Sequence, residues 1–421
     1  MQGRGHETIY NQGMNPDQDH KPDLTANEAA RLLGVSLSTL YSYVSRGLLI
    51  SVADGTARSK RYPYDAVMRL AARRADGKRA GHQVTAAMNW GVPVMESTIS
   101  HVSGGSLYYR GHDVCRLADQ ITLETTALLL WGYPQADFFE CPVPKIAEAE
   151  LLLARQLSAG MGKLEQALAL LGPLTHRLDL HATEAPAMFF DAATFMRLLA
   201  ALLLDQVVDC TALHEQVARA WQANAAQTEI IRASLVLLAD HELNASTFTV
   251  RCVASAGASL AATLSAGLAA LSGRRHAGGS KLAREMIIGA LAASDASVWI
   301  RQFYRRHKAA GAGFAHPLYP AGDPRAQYLL KQLEQVAGEQ PQVKKIFAIG
   351  RIAMRETAAL PNADFALAAL QLAFGWPDHA AEVLYALARS AGWVAHAAEQ
   401  QADGKMIRPR ARYIGKLYRQ I

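Results

Sequence analysis

From Val84 to the C-terminus the chain is a near-continuous series of apolar runs built from Ala and Leu and repeated at helical spacing. These residues lose little on entering a helix, so the body is expected to be mainly α. Runs such as Ala147–Ala159, Thr194–Val208 and Ile230–Ala239 read as amphipathic or buried helices. Half of the 421 residues are hydrophobic and 19% are charged, which allows a large core and two to three domains. Trp90–Ser103 alternates in the manner of a strand, with a turn at Gly104-Gly105. Cys252–Leu271 comes nearest to a membrane span, but it is made of Ala, Ser, Gly and Thr with scattered Leu and Val. Such small residues favour close helix packing, so the segment reads as one buried central helix and no membrane association is expected.

Residues 1–22 are polar, lack a signal-peptide core and are expected to be disordered. The four cysteines, Cys115, Cys141, Cys210 and Cys252, lack the close spacing of a zinc or redox motif, so no metal site is expected. Isolated thiols suit a reducing compartment, and the expected location is the cytoplasm.

The formal net charge of +6 is unevenly spread: residues 21–81 hold 11 Lys and Arg against 5 Asp and Glu. In the same stretch Thr25 and Glu28 have the spacing of a capping box, and Ala29, Leu32 and Leu33 can form one apolar face. Gly34 ends this helix. Ser36 can cap a second, in which Leu40 and Val44 face inward. Arg58-Ser59-Lys60-Arg61-Tyr62 follows as a basic wing, Tyr64–Arg74 reads as a further helix, and Gly77–Gly81 as a linker. Residues 23–80 thus resemble the MerR/excisionase type of winged helix-turn-helix. The resemblance implies DNA contact, with Ser38, Thr39 and Tyr41–Tyr43 presented to the groove and Arg46, Arg58, Lys60 and Arg61 on phosphates. The alternative is a small module that docks on protein and carries a solvated basic face.

Beyond the linker, several separated motifs stand in order. They are Gly105-Ser106-Leu107-Tyr108-Tyr109-Arg110-Gly111-His112-Asp113, then His241-Glu242-Leu243-Asn244-Ala245-Ser246-Thr247-Phe248, then Arg275-His276-Ala277-Gly278-Gly279. Gly313-Phe314-Ala315-His316 precedes Asp323-Pro324-Arg325, and Pro361-Asn362-Ala363-Asp364-Phe365 follows. The last are Ala388-Arg389-Ser390-Ala391-Gly392-Trp393 and Ile407-Arg408-Pro409-Arg410. Each alone is a weak signal, but in this order they make residues 85–421 resemble the citrate synthase family.

That resemblance implies a mainly α citrate synthase fold with a large and a small helical domain, the smaller at residues 275–380, and a homodimer or dimer-based oligomer. It implies acetyl-CoA and oxaloacetate as substrates, with no permanently bound cofactor. Asp364 would be the base, His276 would hold the enol through the thioester oxygen, and His316 would polarise the ketone. His241, Arg325 and Arg389 would bind oxaloacetate, with Arg408 reaching into the neighbouring subunit's site. Guanidinium forks match carboxylates in paired hydrogen bonds.

The chain departs from the family pattern at Ala277, at Pro317 and Pro320, and at Ala366-Leu367-Ala368 after the base motif. No catalytic group is lost, but CoA binding and acyl preference are left open. Arg274 and Arg275 are the candidates for supplying positive charge to the CoA phosphates. Propionyl-CoA, giving 2-methylcitrate, is the nearest alternative co-substrate, and the citryl-CoA lyase direction is another. From a different class, a metabolite-sensing DNA-binding regulator would explain the basic module. A purely sensory body would not need the intact set of His276, His316 and Asp364.

Overall fold

The computed structural model describes residues 23–45, 48–53, 60–64, 66–68, 70, 95–276, 278–307, 313–411 and 413–415. The chain divides into two compact units, Met1–Glu96 and Ser97–Ile421.

In the first unit, α1 (Ala26–Leu33) starts at the expected box: Glu28 N–H is 3.4 Å from Thr25 Oγ1, and Thr25 N–H is 2.8 Å from Glu28 Oε2. Gly34, in the left-handed region at φ +60, ends it. Ser36 Oγ then accepts from Thr39 N–H at the start of α2 (Leu37–Ser45). Strands β1 (Val52–Ala53) and β2 (Lys60–Arg61) pair antiparallel as a short wing. Tyr64, Ala66–Met68 and Leu70 are helical. Ala29, Ala30, Leu33, Leu40, Leu49, Tyr62 and Val67 form a small core. Two expectations change here. Leu32 is exposed rather than on the apolar face, and Tyr43 packs partly buried against the core instead of facing a groove.

The second unit opens with a meander of β3 (Ser100–Ser103), β4 (Ser106–Tyr109) and β5 (His112–Asp113). Both turns need two residues at positive φ. Gly104-Gly105 and Arg110-Gly111 supply them, the geometry that matches the twist of a tight hairpin. Of the alternating stretch, only Ser100–Ser103 is strand among the described residues.

Helices then follow in sequence. They are α3 (Val114–Ala118), α4 (Leu123–Trp131), α5 (Glu148–Leu157), α6 (Lys163–Arg177), α7 (Ala187–Leu204), α8 (Leu213–Trp221) and α9 (Ala225–Leu238). Next come α10 (Ala245–Ser255), α11 (Leu260–Leu271), α12 (Gly278–Ala292), α13 (Ala296–His307), α14 (Pro324–Ala337), α15 (Pro341–Thr357), α16 (Ala363–Phe374) and α17 (Ala380–Asp403). α17 is the axis of one group, packing against α4, α7, α9, α10 and α11. α16 is the centre of another, with α12, α14 and α15 around it and α13 on α12 and α15. The groups meet where α16 and α12 touch α17 and where α14 touches α9.

Cys252–Leu271 is not one helix. Gly257 at φ +77 breaks it, and Ser259 caps α11 by accepting from Ala262 N–H. Close packing of small residues does hold within α11. A Cβ on Gly267 would lie 2.7 Å from Val250 Cγ2 and 2.9 Å from Trp393, so α10 and α17 both approach its backbone. One helix among the described residues, Ala187–Leu204, is long and apolar enough to cross a membrane, and its surface is mostly buried within the body.

Candidate active site

The meeting point of the two groups is lined by helix starts. Asn244 caps α10 by accepting from Ser246 and Thr247 N–H, Asp323 caps α14, and Asn362 caps α16. Most of the N–H groups at these ends are satisfied by the caps, and the helix dipole still favours anions beside them. The GFAH and PNADF segments are laced together here. Ala315 N–H donates to Leu360 O at 2.9 Å, Asn362 N–H to Gly313 O at 2.9 Å, and Asn362 Nδ2 to Ala315 O at 3.0 Å. Gly313 must be glycine, since at φ +85 a Cβ would strike Phe365 Cβ and Ala283 Cβ. Residues 48 positions apart, His316 and Asp364, are thereby brought to one place.

His316 lies edge-on to His241, with ring centroids 5.0 Å apart, and both rings pack on Tyr319. His241 Nε2 is 2.9 Å from the Tyr319 hydroxyl. His316 Nδ1 accepts from Leu318 N–H at 3.2 Å, which leaves the ring proton of the neutral form on Nε2. Burial and the nearby Arg325 lower the His316 pKa to about 4 and push His241 well below the ordinary imidazole range. Both rings are therefore neutral at pH 7.

His276 sits in the turn before α12, with Nε2 2.8 Å from Ser246 Oγ and 3.2 Å from Asn244 Oδ1. Trp393 Nε1–H donates to the same Ser246 oxygen. Burial, reinforced by Arg389, lowers the His276 pKa to about 4. Asp364, in the first turn of α16, has its carboxyl raised to about 6 by burial, against the opposing effect of hydroxyl donors from Ser280 and Tyr385.

The two buried arginines at this site, Arg325 and Arg389, differ. Asp323 holds Arg325 in a fork, Nε to Oδ1 at 3.0 Å and a terminal nitrogen to Oδ2 at 2.8 Å. Ala363 N–H also donates to Asp323 Oδ2, so a single carboxylate ties α14 to α16. Arg389 donates from Nε to Leu238 O at the end of α9, and among the described residues it forms no ion pair with a carboxylate. Burial disfavours its charge and the nearby Asp240 supports it, and such a buried guanidinium with no carboxylate ion pair among the described residues is placed to take an anion.

Not every expected residue joins this cluster. Arg408 is exposed on the extended segment after α17, which Ile407 N–H tethers to Ser255 Oγ. Arg274 and Arg275 are exposed on the turn just before His276. In the first unit Ser38, Tyr41 and Lys60 are exposed and Thr39 and Arg61 half-buried, while Arg46 and Arg58 lie outside the described residues. The Ser38 and Thr39 hydroxyls both bond to Ser36 Oγ.

Sequence reasoning missed Tyr319, Ser280, Tyr385 and the orienting role of Asp323. Tyr319 had a signal, lying three residues beyond His316. Ser280 and Tyr385 had none. Also missed was a buried network below His241. Asp240 accepts from Ser100 Oγ and contacts His396, which meets Arg251, and Arg251 pairs with Glu399.

A mainly helical body thus brings neutral imidazoles, a buried carboxylate and buried guanidiniums together near several helix starts. Residues 87–410 match the family model described as citrate synthase, C-terminal domain, and the chain belongs to the citrate synthase family. Residues 24–75 match a helix-turn-helix domain. Citrate synthase 2 of Bacillus subtilis is 28% identical over 352 residues, covering 77% of this chain and 94% of its own. A 2-methylcitrate synthase of Shewanella oneidensis is 29% identical over 358 residues, covering 76% and 92%. Among solved structures, a ternary complex of carboxymethyl coenzyme A and oxaloacetate with citrate synthase from Thermoplasma acidophilum aligns with a TM-score of 0.63 at 21% identity, covering 78% of this chain and 96% of that one. Citrate synthase from Thermotoga maritima aligns at 0.62 and 24%, covering 79% and 96%. These structures share the fold.

Proposed function

We propose that the chain condenses acetyl-CoA with oxaloacetate and water, giving citrate and CoA. What supports this reading is that His316 and Asp364 both lie near Arg325 and Asp323 and His276 near Arg389, with both imidazoles neutral and the carboxyl raised toward neutrality. A thioester methyl is a very weak carbon acid, so its proton leaves only if the enolate is stabilised as it forms. Asp364 takes that proton, and His276 donates a hydrogen bond to the thioester oxygen. Such donation needs the proton on Nδ1, with the Ser246 hydroxyl turned to Nε2 from Asn244 Oδ1, to which it donates at 2.7 Å. The enol carbon attacks the oxaloacetate ketone, and His316 Nε2–H stabilises the alkoxide. Arg325, Arg389 and His241 hold the carboxylates. Arg408, exposed on its tail, completes the site of a partner subunit in a homodimer. Water then cleaves the citryl thioester. Arg274 and Arg275 face solvent beside His276, where CoA phosphates would be met, and the helices around α16 form the smaller domain.

Asp364→Ala should abolish CoA release while leaving oxaloacetate binding intact by calorimetry. Normal turnover in that variant would overturn the assignment. The Shewanella relative supports propionyl-CoA as the alternative substrate, since one methylene changes affinity by only about 10- to 200-fold.

For the first unit, the helix-turn-helix match and the local excess of Lys and Arg support DNA as ligand. Binding should weaken steeply with salt as counterions are released. A mobility-shift titration of the upstream DNA of its own gene tests this, and no binding at low salt would contradict it.

A further inference from the structure

Among the described residues, the hydrogen bonds to Asp364 reach it on one oxygen only. Its Oδ1 accepts from Ser280 Oγ at 2.6 Å and from the Tyr385 hydroxyl at 3.3 Å. Oδ2 points instead at the backbone of Gly279. A Cβ there would lie 2.8 Å from Asp364 Cγ and closer still to Oδ2, so the second oxygen occupies space that only glycine leaves open. The grip joins three helices: Gly279 and Ser280 open α12, Asp364 opens α16, and Tyr385 stands in the second turn of α17.

A carboxylate that gives one oxygen to two hydroxyl donors has little freedom to rotate, and its charge is concentrated for reaction on the other. We propose that Tyr385, together with Ser280, is a positioning residue that locks the Asp364 carboxylate so that Oδ2, over Gly279, receives the substrate proton. The inference rests on the reading of Asp364 as the base. In the step, a methyl C–H bond breaks, its electron pair passes into the enolate, and the proton goes to Oδ2; the Tyr385 and Ser280 protons stay in place. Burial and the adjacent Asp364 hold the phenol well above its ordinary pKa, so it remains a donor across the working range.

Tyr385→Phe keeps the ring and removes one donor. The charged form of Asp364 then loses a favourable bond, so the acid limb of kcat/KM for acetyl-CoA should move up by about half to one pH unit. Ser280→Ala, which removes the shorter bond, should move it further the same way. Melting curves identify any variant that is misfolded, and the other then carries the test. Acid limbs superimposed on the parent in both folded variants would overturn the proposal. Asp364→Ala run in parallel separates the two ideas. If it is inert while the limbs stay put, only the grip fails; if it turns over normally, the base reading fails as well.

Discussion

Burial favours the uncharged form of every ionisable group, and at this site it acts on acid and imidazole alike. It raises the Asp364 carboxyl to about 6 and lowers His276 and His316 to about 4. The imidazoles can thus donate hydrogen bonds without carrying charge, and the carboxylate becomes a stronger base than a surface aspartate. The shifts also govern stability. His276 and His316 bind protons near pH 6.5 when unfolded but only near 4 when folded, so each contributes stability at neutral pH that is lost as pH falls from about 6.5 toward 4. His241 acts in the same direction. Asp364 acts oppositely, since the folded form gains its proton first as pH falls through about 6. His379 is lowered too, and Asp191 and Glu382 are raised like Asp364, so four imidazoles oppose three carboxyls, and the lowered Asp240, Asp323 and Glu399 act with the imidazoles; the melting temperature should drop between pH 7 and pH 5 in calorimetric scans. A flat or rising value would contradict the assignment of buried neutral histidines. These residues were legible in the sequence as members of ordered motifs. Ser280 and Tyr385 were not, because only the packing of α12 and α17 against α16 brings them to Asp364, across 84 and 21 positions.

At the level of elements, local chemistry was readable wherever a short-range rule decides the outcome. The Thr25–Glu28 box, the Gly104-Gly105 hairpin and the Leu-rich helices follow from capping, positive φ and periodicity. Cys252–Leu271 was misread because its apolar composition runs straight through a break made by Gly257 and Ser259. Leu32 and Tyr43 were misplaced because the rotation of α1 and α2 depends on where Leu49, Tyr62 and Val67 come to pack. Gly267 shows how composition becomes architecture, since it lets α11 lie against Val250 of α10 and Trp393 of α17. Gly267→Val should overpack this crossing and cost about 1–3 kcal/mol, read as a lower midpoint in urea unfolding. The same tryptophan holds Ser246 beneath His276, so turnover should fall with stability. An unchanged midpoint would show that the crossing has room to spare.

Across the whole molecule, two units with different chemistry share one chain. The basic excess lies in residues 21–81, and the chemistry lies in the helical body. The fold of the body was legible from the order of its motifs, and family membership follows from the match over residues 87–410. The acyl substrate was not legible, because Ala277, Pro317 and Pro320 depart from the family pattern while the candidate His276, His316 and Asp364 are all present. The most direct test of the central claim is release of free CoA thiol by the purified full-length chain, with oxaloacetate and either acetyl-CoA or propionyl-CoA. Oxaloacetate-dependent thiol release, faster with acetyl-CoA, is the expected result, and no release with either thioester would contradict the synthase reading.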